Sequence, residues 1–135
     1  MGDDGADAAW SILQHAIGHP DLQRRCLPLL KDAVASGDIN PAHPAYLEDR
    51  ICVLEGRPQR YGTSFDWDEN GELNPHPLQD PERVDAYRAS VGLEPLAQRI
   101  AEARRRAATE CETPPADFAR RQQEMDAWAR SVGWR

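Results

Sequence analysis

The 135-residue chain contains no Gly-x-Gly-x-x-Gly, no P-loop, no Cys-x-x-Cys, no Gly-x-Ser-x-Gly and no His-Glu-x-x-His. These patterns place phosphates on backbone amides, pair thiols, expose a nucleophilic serine or hold zinc, so the common cofactor and hydrolase classes lose their support. No cofactor is expected. Positive charge is also short, with 16 Lys and Arg against 23 Asp and Glu and a net charge of −7. A nucleic-acid backbone and an anionic membrane both attract a basic face, which argues against either as the main partner. The one basic cluster, Arg104-Arg105-Arg106, lies among Glu102, Glu110 and Glu112 and reads as a solvated helix face.

No apolar run approaches the length that spans a bilayer, and Met1-Gly-Asp-Asp-Gly5 is acidic where a secretory signal is basic and then apolar. These features predict a cytoplasmic protein. Three cysteines, Cys26, Cys52 and Cys111, are an odd count without close pairing, which disfavours a disulfide framework or a structural zinc site. Cys26 and Cys52 fall where the helical pattern calls for small apolar residues and are expected to be core thiols. His15 and His19 have the i, i+4 spacing of metal ligands, but Gly18 and Pro20 end the helix there. No metal site is expected.

What is present is a single domain's worth of chain, able to bury about two-thirds of its unfolded surface. Eleven prolines and nine glycines predict short helices. Trp10, Leu13 and Ile17 form a helical stripe over residues 6 to 17, closed by Gly18. A second helix starts at Pro20 and runs to Gly37, with a kink or break near Leu27 because Pro28 cannot donate to the preceding turn. A third, with Pro44 in its first turn, buries Leu47, Ile51 and Leu54 and stops at Gly56.

Beyond Gly56 the chain becomes extended and aromatic. Asn70-Gly71, a dipeptide that accommodates two positive φ angles, predicts a small hairpin between residues 61 and 74, anchored by Phe65, Trp67 and Leu73. The six acidic residues from Tyr61 to Glu82, with no Lys or Arg among them, are either a solvated loop or a surface for a cation or basic partner. Further helices follow over 81–91, from Glu94-Pro95 until the Thr113-Pro114-Pro115 break, and over about 115–132. The fold predicted is mostly α, a compact bundle of about six short helices with one β-hairpin. Residues 1–112 form the domain, and residues 113–135 a C-terminal helix packed on it or an arm.

The stretch from Ala45 to Trp67 is the hardest to explain by packing alone. His15, at the boundary of an apolar face, is either a hydrogen-bonded structural residue or a general acid or base. Asp49 and Arg50 either form an ion pair, or Arg50 presents its planar fork to a carboxylate or phosphate. Tyr61-Gly62-Thr63-Ser64 offers three hydroxyls around a glycine, the pattern of a pocket edge or of a strand bend.

Gln14-His15-Ala16-Ile17, Gln23, Tyr46-Leu47-x-Asp49-Arg50, Gly56-x-x-Gln59-x-Tyr61-Gly62-Thr63, Phe65-Asp66-Trp67 and Val91-Gly92-Leu93-x-Pro95-Leu96 together resemble a bacterial family known only as a domain of unknown function. The resemblance spans about residues 9 to 100 and brings no established reaction. It implies that the Gln-His, Asp-Arg and Gln-x-Tyr-Gly-Thr elements belong to one unit. His19 and Ser64 depart from the pattern, where an acidic residue and a glutamine are expected, and relatives carry more chain before Trp10.

Two functions follow. In the first, an anionic small molecule binds, with His15 as acid or base, Asp49 orienting His15 or Arg50, Arg50 holding the anion, and Gln14, Gln59, Tyr61 and Thr63 supplying hydrogen bonds. The second is an interaction module that binds a protein through the acidic hairpin and the C-terminal aromatic helix. Convergence of His15, Arg50 and Tyr61 would favour the first, and a contiguous exposed Phe118–Trp128–Trp134 patch the second.

Overall fold

The computed structural model describes residues 16–135, and within them the chain is mostly helical with one two-stranded sheet. The helices are α1 (Pro20–Ala35), α2 (Ala42–Leu54), α3 (Val84–Ser90), α4 (Leu96–Thr109) and α5 (Phe118–Val132), and strands β1 (Phe65–Trp67) and β2 (Leu73–Pro75) lie between α2 and α3. The helix expected over residues 6–17 falls largely outside the described residues, so five of the expected six are seen.

Of the kink or break expected near Leu27, the break is absent, for α1 runs through Pro28 as one helix. Pro28 and Leu29 are themselves exposed. α2 ends in a Schellman arrangement: Gly56, at φ 78°, donates to the Val53 carbonyl and Arg57 to that of Cys52. This reversal turns the chain back along α2 and starts the extended segment that carries Gln59 to Thr63.

The hairpin pairs Phe65 with Pro75, Asp66 with Asn74 and Trp67 with Leu73, at the place that the sequence predicts. Its tip differs. Only Gly71 has a positive φ there, and Asn70 does not, because Asp68 organises a five-residue loop instead of a two-residue turn. The Asp68 carboxylate accepts from the amides of Asn70 and Glu72 and from the Asn74 side chain.

The main core joins α1, α2 and α5. Leu47, Ile51, Leu54, Ala129 and Trp134 form its buried centre, with Cys26, Leu27, Leu30, Trp128 and Val132 packed around it, and Cys52 is buried as well. Asp117 caps α5 by accepting from the Arg120 amide, and Gly133 in the left-handed region ends it. Trp134 then folds back into the core, its indole donating to the Ile17 carbonyl at 2.7 Å. Arg24 lies over the Trp134 ring and pairs with Glu55 at 2.9 Å, which fastens α1 to the ends of α2 and α5. Residues 118–135 are thus packed into the body of the fold.

Candidate functional site

Asp49, on the inner face of α2, is fully buried. Its carboxylate accepts from the backbone amides of Arg60, Tyr61 and Thr63, at 2.9 to 3.2 Å, and from the Thr63 hydroxyl at 2.8 Å. Burial pushes its pKa up, while these four donors pull the other way. No hydrogen bond or ion pair joins it to Arg50. Successive residues on a helix point about 100° apart, so Asp49 faces the returning loop and Arg50 does not.

Gln59 is also fully buried. Its side-chain amide donates to the carbonyls of Ser64 and His76, and its oxygen accepts from the Ser64 amide, each at 3.0 Å. The Gln59 backbone pairs with Pro77 and Gln79, making a bridge beside Leu78. Gly62, at φ 68°, lies where a Cβ would sit 3.1 Å from Leu96 and 3.3 Å from Leu78, which accounts for the glycine. Arg88 closes the far side: with only 2% exposure it donates to Glu94 at 2.6 Å and to Tyr61 at 2.9 Å.

The structure therefore gathers Asp49, Gln59, Tyr61 and Thr63 of the expected site into one polar knot. In that knot the Asp49 carboxylate and the Gln59 amide spend their hydrogen bonds on the backbone that they hold, and the Thr63 hydroxyl spends its own on Asp49. The Tyr61 ring packs edge-on against Tyr87 and lines a recess of about 200 Å³ with Lys31, Glu48 and Ser90. Arg50 stands apart, partly buried on α2. Gln14 and His15 lie outside the described residues, and with them the convergence of His15, Arg50 and Tyr61.

Two groups escaped the sequence reading. Arg88 sits one turn after Val84 on the same buried face of α3, so the helical period marks its position, but a charge on an inward face reads as an error in the pattern. His76 lies between Pro75 and Pro77 at the exit of β2, on a cleft of about 470 Å³ between the hairpin, the turn after α2 and α5. Burial lowers its pKa below the usual 6.5, outweighing the upward pull of Asp66.

The C-terminal aromatics do not form an exposed patch. Trp134 is 2% exposed, and Phe118 and Trp128 are partly buried and line the cleft. Among the described residues no cluster of three His, Cys, Asp or Glu side chains could hold a metal, and no helix is long and apolar enough to cross a membrane. No curated protein and no solved structure matches the chain significantly. A family model does match residues 1–108, about four-fifths of the length, and the chain belongs to that family, the family of unknown function DUF6624.

Proposed function

We propose that this domain binds a small molecule through an anionic group, a carboxylate or phosphate, that meets the guanidinium of Arg50. The observation that supports the reading is a contrast among the arginines drawn out of water. Arg24 has Glu55, Arg88 has three carbonyls, Arg99 lies over the Phe65 ring and Arg121 pairs with Asp66 at 2.9 Å. Arg50 is comparably withdrawn, and among the described residues nothing accepts from it. Burial lowers its pKa with no counter-charge to offset the effect. A desolvated guanidinium without an acceptor is unfavourable, and a planar, bidentate anion would relieve it. Asp49, the adjacent carboxylate, is committed to the loop that presents Tyr61, so its part in this reading is to position that loop. Acid or base work by His15 belongs to the same proposal as a step that would follow binding.

The test is thermal unfolding of the unaltered chain and of Arg50→Met against millimolar mono- and dicarboxylates, inorganic phosphate and sugar phosphates. At least one anion should raise the melting point of the unaltered chain and leave Arg50→Met unmoved. At a hundred times its dissociation constant, such a ligand stabilises by about 2.7 kcal/mol. Equal shifts in both proteins would overturn the reading. So would a loss above about 1 kcal/mol in Arg50→Met without ligand, the usual mark of a structural hydrogen-bonding group.

A further inference from the structure

We propose that the cleft beside His76 is a second binding site, and that its ligand is an uncharged, flat heteroaromatic molecule of the size of a purine base. The site does not depend on Arg50, which is not among the residues that line it. Its volume of about 470 Å³ lies within the range of small-molecule sites. Trp67 stands on the hairpin side and Phe118 and Trp128 on the α5 side, so a planar ring can meet aromatic surface on both.

Charge decides the ligand class. Each charged group on the wall already has a polar partner within the protein: Arg57 shares Glu55 with Arg24, Arg135 has Asp126, Asp66 has Arg121 at 2.9 Å, and Asp68 has the hairpin-tip amides and Asn74. A charged ligand would have to compete with these partners for its counter-charge. His76 differs from these groups. Its backbone is fixed, with the amide donating to Ser64 and the carbonyl accepting from Gln59, but its imidazole has no hydrogen-bond partner among the described residues. Burial lowers its pKa and so favours the neutral ring, which has one donor and one acceptor nitrogen pointing in different directions. Whichever faces the cleft can make a single hydrogen bond to a ring nitrogen or N–H of a heteroaromatic base. The α5 side of the cleft lies beyond the residues matched by the family model. This site is thus a composite of the family body and the segment that follows it.

Nuclear magnetic resonance on the full chain tests the proposal, with adenine as probe and benzoate, benzylammonium and cyclohexanol as anionic, cationic and non-aromatic controls. Adenine should produce saturable shifts at the indole N–H groups of Trp67 and Trp128 and at the His76 ring. His76→Ala should abolish them and His76→Gln, which keeps a donor and an acceptor, should retain them. Arg50→Met should leave them unchanged, so failure here is distinct from failure at Arg50. No saturable shift up to about 10 mM adenine, tenfold above the about 1 mM dissociation constant of a weak site, would overturn the proposal. Equal binding by either charged control or by cyclohexanol would also overturn it. Should His76→Ala not fold, the selectivity of the unaltered chain and the His76 ring shifts decide between the same outcomes.

Discussion

Two sets of polar side chains share the middle of this molecule and use their hydrogen-bonding capacity in opposite ways. Asp49, Gln59 and Arg88 give theirs to the backbone between residues 59 and 64 and to the carbonyls of His76 and Glu94. Arg50 and the His76 imidazole, each within a residue or two of that network in sequence or in space, have no such partner among the described residues. Withdrawal from water is common to both sets, so burial alone does not separate a strut from a binding group. What separates them is whether the protein has already answered the side chain.

The sharpest way to break the comparison is at Asp49. Asp49→Ala strands three backbone amides and a hydroxyl in the interior, and a loss of about 4 kcal/mol is expected in urea unfolding, since each stranded group costs about 1–3 kcal/mol and the loop can relax in part. A loss below about 1 kcal/mol would move Asp49 into the set of binding groups. Arg88→Met should cost less, about 2 kcal/mol, because the methionine refills the volume and the three carbonyls can recruit water. Denaturant midpoints measure it, and no change would mean that the Tyr61 and Glu94 carbonyls do not need their donor.

The smallest effect concerns His76 and acidity. Its folded pKa lies below the usual 6.5, so the unfolded chain takes up the proton first. The His76 contribution to stability is therefore complete above about pH 6.5 and declines as the pH falls from there toward the folded value. Stability measured from pH 8 to pH 5 should decline less in His76→Gln than in the unaltered chain, and parallel curves would show that the imidazole is not desolvated.

The arrangement of elements was largely legible in the sequence, because glycine stops and apolar spacing are local. Gly56 and Gly133 end helices where the pattern expects, and the hairpin falls near Asn70-Gly71. The tip geometry differs because the Asp68 side chain, two residues before Asn70, takes up the amides of Asn70 and Glu72. The candidate site was legible only as a grouping. Asp49, Gln59, Tyr61 and Thr63 do meet, but whether a carboxylate works on a ligand or on its own chain depends on amides 11 to 14 residues further on. No local pattern reports their direction. Arg88 was hidden for a related reason, since its acceptors are carbonyls, which every residue carries.

Gln59 joins the start of the hairpin excursion to its end, for its amide and carbonyl pair with Pro77 and Gln79 while its side chain bonds Ser64 and His76. The excursion is in effect a closed ring hung on one residue, with Asn70-Gly71 at the far point. Extra residues added at that point would lengthen the ring without changing the distance between α2 and α3. An insertion at this tip would disturb the Asp68 turn and its packing on Pro114 but not the ring's closure, whereas a residue inserted just after Gln59 would shift every amide that Asp49 holds.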